Sequence, residues 1–378
     1  MARFFKQFNA TKVTAVKNVR DFGALGNGVD DDTDAFRDAL DACAPGETCF
    51  VPVGIYMIRP SGISGRTPAV VSGIKLYGES RYGSVLKLMD MPTDSMILCD
   101  GDEWVVSDLA FDMGDYTIPS GQPGRVALDC RGNRWRVQNC AVLNIGRVGI
   151  SAFAGSDWAI EDNYIQRNVP TAQPPIIAIL VTLLQGVLPL NGRVAGNRCE
   201  GAGMTISGYG TVVNNNVVNR SGYGSGIFVA GPTQAGHVLI TKNICTNGLS
   251  GYDDAQGGRW ANVSGFEVWA PDSIISNNIA HDNDGGGIVV GGNRSLVSGN
   301  TAFNNGREAE RGGIVARYLD VDRNASNSTF IGNKSFDTRW PNPEQTQSWG
   351  FVKQTADIIG LIEAANDYDR NKLGGVKP

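Results

Sequence analysis

Acidic, basic and aromatic side chains gather between residues 252 and 317, where they could bind a ligand and move protons. Glu267 lies between two apolar residues in the segment GFEVW, and Trp269 ends that segment. Carboxylates bind hydroxyl groups or transfer protons, and aromatic rings stack on the faces of sugars. The carboxylates that we select for catalysis are Asp253, Asp254, Glu267, Asp282 and Asp284, and the residues that we select for substrate binding are Tyr252, Arg259, Trp260, Trp269, His281 and Arg317.

Short Gly-apolar segments are the elements that must position these side chains. Aligning GIFVA, GFEVW, GIVVG and GIVAR places Phe266 and Val268 on an inner face, with Glu267 and Trp269 on the outer face, because strand side chains alternate. Arg317 then shares a column with Trp269, two coils further on. Coils about 4.8 Å apart would separate the two by about 10 Å, the span of a disaccharide. We expect His281, Asp282 and Asp284 at the edge of the same face.

Each candidate also has a purely structural interpretation. Asp253 and Asp254, or Asp282 and Asp284, could be solvated turn residues that satisfy backbone N–H groups. An outward Glu267 is also normal on an exposed sheet, and Arg317 could simply pair with it. His281 could be an ordinary loop histidine. The sequence alone leaves these alternatives open.

Asparagine recurs along the chain at intervals typical of a solenoid. The recurring residues are Asn139, Asn163, Asn197, Asn216, Asn243, Asn278, Asn300 and Asn333. Repeats of about 20 to 35 residues made of short strands and Gly/Asn turns predict a stack of coils, because a single coil cannot bury its own inner face. We expect each Asn to link the coils above and below it, and to adopt the left-handed backbone of its corner.

An amphipathic helix is predicted over residues 33 to 43, where Phe36, Ala39 and Leu40 fall on one face. Asp31, Asp32 or Thr33 could cap its N-terminus. Such a helix would plug the open apolar end of a solenoid. We predict a lead-in over 1–17 and one domain over 18–378.

The opening segment NVRDFGALGNGVDDDTDAFRDALDAC resembles that of the pectate-lyase-like right-handed β-helix superfamily, which includes polygalacturonases, alginate epimerases and phage tailspikes. The resemblance implies an all-β fold, a single-stranded right-handed parallel β-helix with an N-terminal capping α-helix. It implies little about activity. The Asn-Thr-Asp, Gly-His-Gly and Arg-Ile-Lys elements of polygalacturonases and the Asp-Pro-His element of alginate epimerases are missing here.

Composition excludes several classes of partner. A net charge of −5 without a basic block argues against nucleic acid. The apolar stretch 176–190 is interrupted and short for a membrane span. We expect no cofactor and no metal site. Seven cysteines leave a Cys43–Cys49 disulfide undecided. No signal peptide is visible at the N-terminus, and we expect an extracellular or virion-associated protein, with a homotrimer as a further expectation.

These observations favour an enzyme that cleaves glycosidic bonds of a polysaccharide or oligosaccharide bound along the outer strand face. Hydrolysis would use two of the selected carboxylates. The first alternative is a lyase that acts on a uronic-acid polymer, with Tyr252, Arg259 and Arg317 as base and carboxylate partners. The second alternative is a glycan-binding tailspike-like or adhesin-like protein without chemistry.

Overall fold

The chain winds as a solenoid through three parallel sheets. The computed structural model describes residues 15–60, 67–89, 95–114, 126–167, 176–221, 224–231, 233–248, 263–306, 312–320, 322–339, 347–355, 357–371 and 374–377. In that part of the chain, successive strands enter the three sheets in turn, which gives sheets of 13, 12 and 12 strands. This is the parallel β-helix that the repeats predicted.

The strands are short, and each coil adds one to each sheet. The first sheet contains Val16–Asn18, Thr48–Val51, Lys75–Gly78, Val105–Ser107, Arg136–Gln138, Ala159–Glu161, Arg193–Ala195, Val212–Asn214, Leu239–Thr241, Ile274–Ser276, Leu296–Ser298, Thr329–Ile331 and Ile362–Ala364. The second contains Asn27–Asp31, Gly54–Ile58, Ser84–Leu88, Ala110–Asp112, Ala141–Leu143, Tyr164–Gln166, Arg198–Glu200, Val217–Asn219, Ile244–Thr246, Ile279–His281, Thr301–Phe303 and Lys334–Phe336. The third contains Ala69–Val70, Ile97–Cys99, Val126–Arg131, Val148–Phe153, Ile177–Thr182, Gly203–Ile206, Ile227–Val229, Phe266–Val268, Ile288–Val290, Gly312–Ala316, Trp349–Lys353 and Gly374–Lys377. A small parallel pair joins Gly208–Tyr209 to Ala235–Gly236.

The core is one continuous column of inward side chains. Trp104, Trp135 and Trp158 are almost fully buried and stack with ring centroids 4.7 and 5.5 Å apart. Gly192 lies beyond the last ring, where a Cβ would come within 1.9 Å of Trp158 Cζ2. The glycine therefore makes room for the stack.

Buried asparagines join the coils at the corner between the first and second sheets. Asn216 donates from both its backbone N–H and its side-chain amide to Asn243 Oδ1, at 3.0 and 2.9 Å. The same side-chain hydrogen bond links successive members of a ladder, whose asparagines we call rungs. The rungs are Asn163, Asn197, Asn216, Asn243, Asn278, Asn300, Asn333 and Asn366. The predicted linking role of these side chains is confirmed.

Two details of the asparagine prediction are wrong. Asn139 is not a rung, because Cys140 occupies that position and donates its N–H to Asn163 Oδ1. The left-handed residue is the one before each rung, as at Asn215 with φ 55° and Lys242 with φ 56°. The rung itself keeps the ordinary backbone, and its amide can then point along the solenoid axis.

The helix Thr33–Asp41 covers the N-terminal end of the core, two residues shorter than predicted. Phe36 is fully buried and meets Tyr56 edge to face, with ring centroids 5.2 Å apart. Asp31 accepts a hydrogen bond from the Thr33 N–H, whereas Asp32 accepts from the backbone N–H groups of Leu25 and Met57. The first helix residue is thus held by Asp31, and Asp32 fixes the preceding loop.

The structure also describes the cysteine thiols, the length of the helices and the grouping of possible metal ligands. All seven cysteines are free thiols, so Cys43 and Cys49 do not form a disulfide. No helix in the described ranges is long and apolar enough to cross a membrane. Within the same ranges, no three His, Cys, Asp or Glu side chains are grouped to hold a metal ion.

The connections on both sides of the third sheet vary in length. Only two residues separate Ile274–Ser276 in the first sheet from Ile279–His281 in the second. By contrast, the connections 113–125, 167–176, 247–265 and 337–348 run from a second-sheet strand to a third-sheet strand, and 183–192 and 317–328 run from the third sheet to the first. The variable parts of the chain therefore flank the third sheet.

Candidate functional site

Glu267 lies on the outer face of the third sheet, as the alternation predicted. Its neighbours Phe266 and Val268 are fully buried, whereas its own side chain keeps a small exposed fraction of 14%. In the sheet it pairs with Phe228 on one side and Val289 on the other. The strand register thus brings a carboxylate beside an aromatic ring on the outside of the solenoid.

Three donors surround the Glu267 carboxylate. Ser225 Oγ donates to Oε2 at 2.9 Å, and Trp269 Nε1 donates to Oε1 at 3.0 Å. Arg317 Nη1 donates to the same Oε1 at 3.2 Å and forms an ion pair with it. An ionised carboxylate only accepts hydrogen bonds, so a site made of three donors suits it.

The Trp269 ring is less accessible to a ligand than the sequence suggested. Its side chain faces outward, yet only 5% of the residue is exposed. The Arg317 guanidinium carbon lies 5.3 Å from the ring centroid, and the ring also covers Gly291, where a Cβ would come within 2.2 Å of Cε3. The prediction that about 10 Å separates Arg317 from Trp269 is therefore wrong, because the long arginine side chain reaches back across the intervening coil. Sugar stacking on Trp269 stays a prediction that requires Arg317 to move.

An open groove runs along this face beside the cluster. Its volume is about 700 Å³. Side chains and backbone from several coils line it, among them Ile177, Thr205, Ser225, Phe228, Glu267, Trp269, Arg317, Asp320 and Arg323. The groove is large enough for several sugar units, and its lining mixes apolar, aromatic and charged groups as carbohydrate sites require.

A second arginine-carboxylate pair lies in the groove wall. The Arg323 side chain donates a hydrogen bond to Asp320 Oδ2, and the Arg323 backbone N–H donates to Asp320 Oδ1. The hydrogen bond from the Arg323 side chain lowers the pKa of Asp320. Of the three carboxylates that line the described groove, Glu267 and Asp320 are therefore bound to arginines, and Asp322 is the third.

His281, Asp282 and Asp284 lie elsewhere. His281 ends a second-sheet strand, where it pairs with Thr246 and Phe303 and stacks on the Phe303 ring at 4.7 Å. Its Nδ1 lies 2.7 Å from Asp282 Oδ2. The chain turns from the second sheet to the third after this strand, so His281 lies on the second sheet, and its substrate-binding role stays a prediction.

Asp284 lies within that turn and is 7% exposed. Its backbone N–H donates to the Gly248 carbonyl at 2.9 Å. Neither Asp282 nor Asp284 belongs to the described lining of the groove. The structural interpretation as turn residues fits both, and their catalytic role stays a prediction.

The remaining candidates are Tyr252, Asp253, Asp254, Arg259 and Trp260, and they lie outside the described residues. The segment that carries them connects the second-sheet strand Ile244–Thr246 to the third-sheet strand Phe266–Val268. Their roles stay predictions.

Sequence reasoning missed three groups that the structure brings to Glu267 or to the groove. Ser225 belongs to the previous coil, 42 residues away in sequence. Phe228 was not selected, although the alignment of GIFVA with GFEVW places it in the same column as Glu267, and the two residues pair in the sheet. Arg323 lies in a turn that no repeat pattern marks.

Comparison with known proteins agrees with the fold. Residues 16–108 match the family model described as rhamnogalacturonase A/epimerase, pectate lyase-like. Mannuronan C5-epimerase AlgE1 of Azotobacter vinelandii is 40% identical over 79 residues, which are 20% of this chain and 6% of that protein. Alginate lyase 7 of the same organism is 37% identical over 76 residues, 19% of this chain and 9% of that protein. The chain thus spans less than a tenth of the length of these two relatives.

Two solved structures share the architecture over most of the chain. The A-module of Azotobacter vinelandii mannuronan C-5 epimerase AlgE4 has a TM-score of 0.64 at 18% identity, and the match covers 96% of this chain and 98% of that one. The Dettilon tailspike protein has a TM-score of 0.68 at 13% identity, with 96% and 68% covered. At such identities the likeness shows the fold alone. The family match ends at residue 108, before the strands that form the groove.

Proposed function

We propose that this chain, a pectate-lyase-like β-helix protein, modifies a polysaccharide of uronic acids bound along the groove of the third sheet. The observation that carries the proposal is the lining of that groove. Arg317, Arg323 and Phe228 all line it. Guanidinium groups match carboxylates in shape and charge, so each arginine can bind an acidic sugar when the sugar carboxylate replaces its present partner, Glu267 or Asp320.

The relatives support the same substrate class. They are named for mannuronan C5-epimerisation and for alginate lysis. In a uronic acid, C5 lies next to the carboxylate, so both reactions begin with removal of the C5 proton. A cation at the carboxylate stabilises the negative charge that develops there. Expulsion of the group at C4 then gives a lyase, and return of a proton to the other face gives an epimerase.

Hydrolysis, which the sequence favoured, has weaker support. It requires one carboxyl group that gives a proton and a second that activates water or attacks. Glu267, Asp320 and Asp322 line the described groove, and the first two are each held by an arginine. Any pair drawn from these three therefore includes at least one carboxylate that is bound to an arginine. Elimination or epimerisation needs a base instead, and Tyr252 is the residue that we propose for it.

A screen of products tests the activity. The protein is incubated in deuterated water with polymannuronate, polygalacturonate and a neutral mannan. We expect a uronate polymer to gain either the ultraviolet absorbance of an unsaturated end or deuterium at C5, and the neutral polymer to remain unchanged. New reducing ends without unsaturation would identify a hydrolase instead. Binding of the uronate polymer without any product would leave a glycan-binding protein.

Arg323 supplies the variant for this test. Arg323→Gln should lower kcat/KM on the uronate polymer by about 10- to 100-fold, since one charge-assisted contact to a carboxylate is lost. Arg294→Gln is the matched control, because Arg294 forms a comparable exposed ion pair with Asp272 and does not line the groove. Equal losses in both variants would contradict the assignment of Arg323.

A further inference from the structure

Arg317 is bound by the protein itself at the place where a substrate carboxylate would need it. Its guanidinium is paired with Glu267 and lies over the Trp269 ring. The side chains of Arg317 and Glu267 are only 21% and 14% exposed. Arg317 uses Nη1 for Glu267, so a ligand carboxylate that takes this nitrogen must replace Glu267 as its partner.

The surroundings of Glu267 make this exchange feasible. When Arg317 leaves, the Glu267 carboxylate keeps the hydrogen bonds from Ser225 Oγ and Trp269 Nε1. A buried carboxylate with no partner would be strongly unfavourable, but this one would retain two donors. Trp269 would remain oriented by its own bond to Glu267, and its ring would lose the cover of the guanidinium. Each of the two arrangements thus has its polar groups satisfied.

We propose that Arg317 determines specificity and is held back by Glu267, so that a uronate carboxylate releases it and uncovers Trp269 for a sugar ring. Glu267 is then a positioning residue. This inference rests on the proposed function, because it assumes an acidic sugar in the groove. A neutral sugar offers only uncharged acceptors, and these do not offset the cost of separating a partly buried ion pair.

The expected size of the effect follows from populations. If the released state of Arg317 is a minor one, between about 0.1 and 10% of molecules, the affinity for an acidic ligand is reduced by that fraction. Removing the negative charge of Glu267 should restore the full affinity for the acidic ligand. This gain in affinity depends on Arg317, so it should be absent when Arg317 is also replaced.

The test measures binding of an oligomannuronate tetramer, an oligogalacturonate tetramer and their carboxyl-reduced, neutral forms by calorimetry. We expect Glu267→Gln to tighten binding of the acidic ligand that wild type prefers by about tenfold or more, and to leave the neutral forms unchanged. Arg317→Gln should weaken the acidic ligand by about tenfold or more, and adding Glu267→Gln to it should give no gain. Arg317→Lys should restore part of the preference, because the charge is kept.

Two controls separate this mechanism from simpler effects. Glu103→Gln removes the same charge from an exposed ion pair with Arg134 at a turn outside the groove, so it should change the binding of neither ligand. Trp269→Phe should abolish any change of tryptophan fluorescence that the acidic ligand causes in wild type.

The outcomes are distinct. Weaker binding of acidic and neutral ligands alike in Glu267→Gln would show that Glu267 contacts the sugar directly, and would overturn the inference while leaving the proposed function intact. Unchanged binding in both Glu267→Gln and Arg317→Gln would do the same. Failure of wild type to bind either acidic tetramer would overturn the proposed function and the inference with it.

Discussion

A single buried amide connects three coils at the corner between the first and second sheets. Asn243 is fully buried, accepts two hydrogen bonds from Asn216, and donates to Asn278 Oδ1 at 3.0 Å. No water can replace these partners in a stacked interior. The recurrence of asparagine in the sequence is therefore explained by hydrogen bonding, and the shape of the corner is set by the residue before it.

Replacing this amide tests the ladder. Asn243→Ala should lower the free energy of unfolding by about 3 kcal/mol or more, because the buried N–H and amide groups of Asn216 lose their acceptor. Chemical denaturation monitored by circular dichroism measures the change. The control is Asn215→Gly, at an exposed left-handed position with φ 55°, which should change stability by less than about 0.5 kcal/mol. Similar losses in the two variants would contradict the ladder as a source of stability.

The site illustrates which residue positions could be predicted and which could not. The period of two placed Glu267 outside and Phe266 inside, and this was correct since alternation is fixed by the strand. The same reasoning correctly placed Arg317 two coils from Trp269. The separation that it predicted was wrong, because strand spacing locates the backbone and not the end of a long side chain. Ser225 could not be found at all, because only the register between coils brings it to Glu267.

At the scale of elements, the N-terminal helix completes the first coils. Its buried residues Phe36, Ala39 and Leu40 cover apolar side chains that no preceding coil covers. The sequence predicted this helix well, because an amphipathic pattern of period 3.6 stands out among strands of period two. The bounds of individual strands were less predictable, since three-residue strands carry too little pattern.

The cap contributes stability through its buried face. Phe36→Ala should lower the free energy of unfolding by about 3–5 kcal/mol, because a fully buried ring that contacts Tyr56 is removed. Asp38→Ala, on the exposed side of the same helix, should change it by less than about 0.5 kcal/mol. Thermal and denaturant unfolding of both variants measure the difference. A small effect of Phe36→Ala would mean that the helix is not required to close the solenoid.

At the scale of the whole molecule, the connections on both sides of the third sheet vary in length, whereas the asparagine corner between the first and second sheets allows only two residues. Function is therefore expected on the third sheet and along its edges. The sequence did not indicate that these connections share one sheet, because that requires knowing which strand belongs to which sheet.

The groove lies along the solenoid axis, and its length predicts how much of a polymer it holds. Its lining extends from Ile177 on one coil to Arg317, five strands further along the third sheet. Five steps of about 4.8 Å give about 24 Å, room for four or five sugar units. Affinity and kcat/KM for uronate oligomers should therefore rise up to four or five units and then remain constant, because longer chains extend beyond the groove. Calorimetry and initial rates on dimers to octamers would measure this dependence. A dimer as effective as a pentamer would mean that the ligand crosses the groove, and would remove the reason to place Arg317 and Thr205 in one binding site.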